Sequence, residues 1–409
     1  MYRRNFLKSA LTLGATTLPA SPTTTRAERP RAKGAKKYRA GIVGLGWMGF
    51  LYDLGKRDYE NIGGSYTDPK YQIDDPNRPL PAGLDVHRKF YFHNHPGQEG
   101  VSNSYAEALW DRPEVALVAG AERNTERLRM FGERYGIDAL YTDALEMYRK
   151  EKLDIVAVCT NTKGRSFLTV KAVEAGAKGI LAEKPMTFTL DEADRMVKAC
   201  ADAKVPLVGG ATTASHPSFA KAKELVRSGA IGEVLSIEAR VPVMSQHQDW
   251  SYFLDSAPAW IVGFGDKPRR KRGSTEFIGQ GMVVAKDGTV LHIRDGAPEV
   301  RLSGRKGEIC FHDNRWRLWQ DVEAPPAKGR VEMPWPQPQF LLPYRAVYCL
   351  EDLIACMEGR MDEPKNSGRR VAVALEVELG LKLSSAQGGQ RIDLPLKDRS
   401  LGLTYDWFR

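Results

Sequence analysis

The sequence predicts an α/β chain: a doubly wound parallel sheet in the first half, followed by an α+β half with a mainly antiparallel sheet. Three observations predict it. Short apolar runs alternate with helical segments from Tyr38 to Val208, the pattern of a parallel sheet covered by crossover helices. The first apolar run leads directly into Gly44-Leu45-Gly46-Trp47-Met48-Gly49. Beyond residue 230, strand signals recur in pairs joined by glycine turns.

The first strand is Tyr38-Arg39-Ala40-Gly41-Ile42-Val43, and the G-x-G-x-x-G that follows it is in the context that gives this motif meaning. Gly44 permits the tight turn, Gly46 lets a pyrophosphate approach the backbone, and Gly49 lets the next helix pack on the strand. The start of that helix offers free N–H groups to the phosphates. Such a loop binds a nicotinamide dinucleotide, with Trp47 and Met48 inside it.

The second strand should end in an acidic residue that holds a ribose hydroxyl, usually about 20 residues on. Asp58 and Glu60 stand near that distance, but neither closes an apolar run. Val115 to Ala121 does, and it ends at Glu122-Arg123, so Glu122 takes the ribose contact. This choice requires an insertion at about 52–104, rich in Gly, Pro, Tyr, Asp and His and without periodicity. Long excursions of that kind often serve as lids or binding loops. Glu122 disfavours a 2′-phosphate and Arg123 accepts one, so NAD is slightly preferred and NADP stays open.

The alternation continues with a helix over 127–135, a strand from Asp154 to Cys159 ending at Thr160-Asn161, and a helix over 166–175. A strand follows at 178–181, then a helix to about Ala203 with Asp191 as N-cap and Glu192 in its first turn. Pro206-Leu207-Val208 is the last strand. The second half opens with a helix over 217–228 and a strand over 234–241. Segments 277–285 and 289–293 flank Lys286-Asp287-Gly288 as a hairpin. Strands are expected at 300–302, 309–311 and 315–319, an irregular proline-rich stretch at 320–340, and helices at 344–358 and 369–384. The organisation is a leader and linker over 1–37, a dinucleotide-binding domain over 38–212, and a substrate and oligomerisation domain over 213–409.

Charge and composition exclude other classes. The net charge is +9, but ten basic residues before residue 40 face only Glu28, leaving a nearly neutral remainder. A nucleic-acid role lacks the basic face that phosphate binding needs. The later run Arg269-Arg270-Lys271-Arg272 reads as a solvated loop. No apolar stretch reaches the ~18–20 residues of a membrane span. Five scattered cysteines without CxxC spacing argue against a disulfide framework or a thiolate zinc site, and most are expected in the core. His87, His93 and His95 in the insertion are too few for a metal site, so no metal is expected. At the N-terminus, Arg3-Arg4-Asn5-Phe6-Leu7-Lys8 before a weakly apolar stretch reads as a twin-arginine export signal, with possible cleavage at Ala20 or Ala27. That machinery carries folded proteins, so a cofactor enzyme would leave for the periplasm or cell envelope with its cofactor inside.

Glu183-Lys184-Pro185 at a strand end, about 140 residues after the glycine loop, resembles the glucose–fructose oxidoreductase / inositol dehydrogenase / MocA family. Asp154 to Thr160, Thr189-Leu190-Asp191-Glu192-Ala193, Ser228 to Glu233 and Leu394-Pro395-Leu396 match in the same order. The resemblance covers 38–265 well and 340–398 loosely. It implies a Rossmann domain, a second sheet with one open face, a sugar, polyol or cyclitol substrate, and a homodimer or homotetramer. It places Lys184 by the nicotinamide and the substrate hydroxyl, with Glu183, Pro185, Thr160 and Asn161 at the cofactor, and makes the bond before Pro185 cis.

Where relatives carry an acid/base histidine between two aspartates, this chain has Gln246 to Asp255. If Asp255 matches the second aspartate, Tyr252 takes the histidine's place; aligning on Gly263, within what looks like a helix end at 259–263, puts Phe253 there. His247 is the only nearby histidine and could act from another backbone position. Arg165 stands where relatives often have histidine, and the Asn and Arg expected before Pro217 are missing. The leading expectation is an exported NAD(P)-dependent oxidoreductase. A redox-neutral glycoside hydrolase or lyase using bound NAD, and a non-catalytic binding protein, remain alternatives.

Overall fold

Each strand of the first sheet is a short apolar run, as strands covered on both faces require. In a computed structural model these strands pair in parallel in the order β3-β2-β1-β4-β5-β6. The structure describes residues 37–46, 48–50, 104–209, 213–241, 248–267, 275–313, 315–324, 327–336 and 346–404. The strands are β1 (Tyr38–Val43), β2 (Val115–Ala121), β3 (Ala139–Tyr141), β4 (Ile155–Val158), β5 (Gly179–Ala182) and β6 (Leu207–Val208). All four residues of β4 and of β5 are buried. The strand order reverses between β1 and β4, and in such sheets ligands bind at that switch point, outside the carboxyl ends of the strands.

The helices of this half are α1 (Tyr105–Asp111), α2 (Thr125–Tyr135), α3 (Ala144–Lys150), α4 (Arg165–Glu174) and α5 (Leu190–Asp202). α1, β3 and α3 escaped the sequence reading. The N-cap of α5 also lies two residues earlier than expected: it is Thr189, which forms a capping box with Glu192, while Asp191 lies in the first turn.

The insertion leaves its mark on the first crossover. After the glycine loop a single turn forms, with the Phe50 amide donating to the Gly46 carbonyl at 2.9 Å. The chain rejoins at Ser104, the N-cap of α1, where the amides of Tyr105 and Ala106 donate to the carbonyls of Met48 and Gly49 at 2.8 and 3.0 Å. The helix after the glycine loop is therefore spliced from two pieces.

The second sheet has nine strands in the order β14-β13-β12-β11-β7-β10-β9-β8-β15 and is antiparallel except where β10 meets β7. Helix α6 (Pro217–Arg227) precedes β7 (Val234–Arg240); then come β8 (Pro258–Phe264), β9 (Gln280–Ala285), β10 (Val290–Arg294), β11 (Val300–Gly304) and β12 (Gly307–His312). β13 (Arg315–Ala324) and β14 (Ala327–Met333) follow, and β15 (Ile392–Asp393) closes the far edge. Two expectations are corrected. Residues 259–263 lie inside strand β8 rather than at a helix end, and the stretch called irregular, 320–340, holds the end of β13 and all of β14. Ladder pairing of β8 to β9 and of β13 to β14 decides the two cases.

Helix α7 (Ala346–Met357) returns to the first sheet and packs on α1, β5 and β6, where Cys349, Leu350, Leu353 and Ile354 share a core with Tyr38, Ile42 and Leu109. Helix α8 (Gly368–Ala386) packs on β8 and α5. Four of the five cysteines are buried, as expected for core residues. Among the described residues, no helix is long and apolar enough to cross a membrane.

Candidate active site at the carboxyl edge of the parallel sheet

The three loop glycines differ in their surroundings. Gly44 has φ +89°, and a Cβ there would lie 2.7 Å from the Thr160 amide nitrogen. A Cβ on Gly49 would sit 2.1 Å from the Gly44 carbonyl oxygen. A Cβ on Gly46 would meet no atom of the described residues within 4 Å. Two glycines are thus demanded by the chain's own packing, and the third keeps open the space that a pyrophosphate needs.

Glu122 stands at the end of β2 beside this loop. Its Oε2 accepts from the Leu45 amide at 2.7 Å and its Oε1 from the Asn124 amide at 3.0 Å. The carboxylate is held where an adenosine ribose diol would meet it, and Arg123 next to it is exposed. Open space over Gly46 and a fixed acid at the β2 end fit a dinucleotide. Trp47 lies outside the described residues; Met48 is partly buried and gives its carbonyl to Tyr105.

Glu183-Lys184-Pro185 follows β5, with the Glu183 amide donating to the Val158 carbonyl at 3.1 Å and a cis bond between Lys184 and Pro185. Lys184 is partly buried, and burial pushes its amine below the ordinary lysine value; Arg165 pushes the same way, whereas Glu183 and Glu276 oppose them. Glu183 itself is interior. Burial pushes its carboxyl up, the charges of Lys184 and Arg165 pull it down, and the Tyr105 hydroxyl hydrogen-bonds to it. Its side chain therefore supports the lysine from inside the fold. Thr160 is partly buried, its hydroxyl donating to the Asn161 carbonyl at 2.9 Å, and Asn161 is exposed at the strand end.

Two residues near Lys184 were not proposed for its chemistry from the sequence. Arg165, noted only as a departure, opens α4 and is completely buried. Glu276, buried just before β9, brings a negative charge from the second half of the chain. A lone glutamate after a basic loop carries no pattern that announces this, because only the tertiary fold brings it near β5.

The proposed acid/base region is partly seen. His247 falls outside the described residues. Tyr252 closes a short 3₁₀ helix (Gln248–Tyr252) and lies between two cations, Lys223 at 4.7 Å and Arg370 at 5.4 Å from its ring centre. Asp255 is exposed and paired with Lys223 at 2.6 Å. These contacts group Tyr252 and Asp255 with Lys223 rather than Lys184. Phe253, the alternative at the histidine position, is buried against Phe219 and Trp316. In the same 3₁₀ helix Asp249 is buried, and its carboxyl is pushed up to about 8 by burial and then by Glu299, against the pull of Arg240 and the Ala214 amide.

The family model described as the oxidoreductase family, NAD-binding Rossmann fold, matches residues 97–210. Over 131 residues the chain is 35% identical to a D-apiose dehydrogenase of Paraburkholderia graminis, covering 32% of this chain and 35% of that protein. Over 144 residues it is 32% identical to a myo-inositol 2-dehydrogenase of Thermotoga maritima, covering 35% and 43%. The aligned stretch thus spans well under half the length of these two relatives. A solved oxidoreductase of Agrobacterium radiobacter, in complex with NAD+, L-tartaric acid and magnesium, shares the fold with a TM-score of 0.58 at 15% identity, covering 87% of this chain and 98% of that one. The matched model is described as NAD-binding, and the solved neighbour holds NAD+. The matched model and these relatives thus show what part of this chain is similar to: oxidoreductases with an NAD-binding Rossmann fold.

Proposed function

We propose that the chain is an exported NAD(P)-dependent dehydrogenase that oxidises a hydroxyl of a sugar, polyol or cyclitol while holding its cofactor tightly. The observation that carries this reading is Lys184: a partly buried amine, held below its ordinary pKa, on the loop after β5 in a dinucleotide fold. The relatives named as D-apiose and myo-inositol dehydrogenases support the substrate class. The arginine pair at Arg3-Arg4 supports export, and the two sheets support a cofactor half over 38–212 and a substrate half over 213–409. A second copy pairing through the nine-stranded sheet, as homodimer or homotetramer, completes the proposal.

The nicotinamide, when bound, accepts the hydride. The protein's part is to orient the substrate carbon and to move the hydroxyl proton. A lysine with a lowered pKa carries more neutral amine near neutral pH and can accept that proton. The resulting ammonium then offsets the negative charge that develops on oxygen. Tyr252, Asp255 and His247 are proposed to complete the proton path on the substrate side.

The test is to purify the chain without added cofactor, denature it in acid and measure released nucleotide by mass spectrometry. Stoichiometric NAD or NADP supports the reading. The same sample is then assayed with myo-inositol, D-apiose and glucose, beside a Lys184→Met variant expected to lose about 10²–10⁴-fold in turnover while keeping the nucleotide. A chain that neither carries nor binds a nucleotide would overturn the reading. Glycoside cleavage without net reduction would replace it with the redox-neutral one.

A further inference from the structure

Arg165 is a guanidinium with no exposed surface, placed by Gly164 (φ +86°) at the first residue of α4. Its Nη1 donates to the carbonyls of Glu183 and Pro185, the residues on either side of Lys184. Its Nη2 donates to the carbonyl of Thr160, beyond the end of β4. The Thr162 hydroxyl donates to the same Pro185 carbonyl at 3.4 Å, and the Arg165 amide donates to the Thr162 carbonyl at 3.1 Å. One side chain thus ties the ends of two neighbouring central strands to the loop that carries the lysine.

A buried charge is expensive unless paired, and an apolar residue would fill such a site at lower cost. Here the cation is retained, and its hydrogen bonds go to three neutral carbonyls; the acid beside it is Glu183. Burial opposes its charge, yet a guanidinium stays protonated in proteins. It is also planar and forked, so it can span several acceptors at once, as an ammonium cannot.

We infer that Arg165 is a positioning residue for Lys184: its fork fixes the backbone on both sides of that lysine, and its permanent charge biases the amine toward its neutral, unprotonated form. The inference rests on the proposed role of Lys184. Among the described residues, the charged groups that act on that amine include Glu183 on its own loop, Arg165 at the start of α4 and Glu276 from the second half of the chain. Tyr105 on α1 and Cys159 after β4 complete the titratable groups around Arg165 and Glu183. Both carboxylates favour the ammonium and the guanidinium disfavours it, so removing Arg165 tips the balance toward a protonated lysine.

The experiment is competitive acetylation with acetic anhydride across pH 6–11 on the full chain. Modification of Lys184 is read by peptide mass spectrometry, with exposed Lys198 as the internal standard. It is combined with hydrogen exchange of the Glu183 and Lys184 amides. In the wild type, Lys184 should become reactive at lower pH than Lys198. Arg165→Gln should raise its midpoint by about one pH unit, a tenfold change in the proton equilibrium. Arg165→Lys should leave that midpoint in place but speed amide exchange at Glu183 and Lys184, since charge remains and the fork is lost. Should Arg165→Gln not fold, Arg165→His, neutral over most of this range, gives the same comparison; if neither folds, exchange in Arg165→Lys decides. An unmoved midpoint in the neutral variants, or unchanged exchange in Arg165→Lys, would overturn the inference. This readout does not depend on catalysis, so full turnover by Lys184→Met would sink the functional reading while leaving the labelling result intact.

Discussion

The Leu45 amide in the glycine loop donates a 2.7 Å hydrogen bond to Oε2 of Glu122, at the end of the neighbouring strand. This bond holds the Glu122 carboxylate beside the glycine loop, and under the proposed assignment of Glu122 to the adenosine ribose an anion there repels a 2′-phosphate. Titration of intrinsic fluorescence should give tighter binding for NAD than for NADP. Glu122→Ser should narrow the ratio by tenfold or more, equivalent to about 1.4 kcal/mol. Equal affinity of the wild type for both would refute the assignment of Glu122.

The loop glycines should separate stability from binding. Gly49→Ala places a methyl 2.1 Å from a backbone oxygen, so its thermal midpoint should fall along with nucleotide affinity. Gly46→Ala meets nothing within 4 Å among the described residues and should melt like the wild type, yet bind NAD at least tenfold more weakly. Calorimetry for melting and titration for binding make the comparison. Identical behaviour of the two variants would show that the loop does not face the phosphates.

Asp249 should make stability fall as pH rises. Its folded carboxyl titrates near 8, against about 3.9 in an unfolded chain. The folded form therefore binds the extra proton between those values, and the stability this contributes is present at low pH and lost toward pH 8. Asp249→Asn should raise the melting temperature at pH 9 by several degrees and change it little at pH 5. A variant whose stability tracks the wild type at both values would contradict the burial argument.

Lys365 and Asp352 form an ion pair buried on both sides, in which the Lys365 amide also donates to Asp352 at 3.2 Å. Lys365→Met leaves a carboxylate uncompensated in the interior and should cost about 3–5 kcal/mol in denaturant unfolding. Adding Asp352→Leu should restore most of that loss, because apolar replacement of both partners removes the stranded charge. A double variant no more stable than the single one would mean that the pair is held for geometry instead.

Much of the parallel sheet was legible because its strands are continuous apolar runs. β1 and β2 were read to the residue, and Glu122 was located across the insertion because an acid closes an apolar run there. The second sheet was less legible. Residues 259–263 look like the family's helix end, but they lie in β8, which β9 and β15 hold on both sides. β14 contains Lys, Gly, Arg and Glu with little β propensity, and a ladder to β13 along its whole length makes the strand. α7 was recognised as a helix, but nothing in its sequence said that it would roof the first sheet.

The sequence alone placed the glycine loop after β1, an acid after β2 and Lys184 after β5: the first two close apolar runs, and the third was singled out by its resemblance to a family motif. Tertiary structure alone decided what surrounds that lysine. Arg165 and Glu276 lie 19 and 92 residues from Lys184 in the chain, and their charges meet it only after the strands have paired and the second half has packed against the first. Local backbone preferences can be written in neighbouring residues; electrostatic surroundings depend on distance in space, which no local pattern encodes.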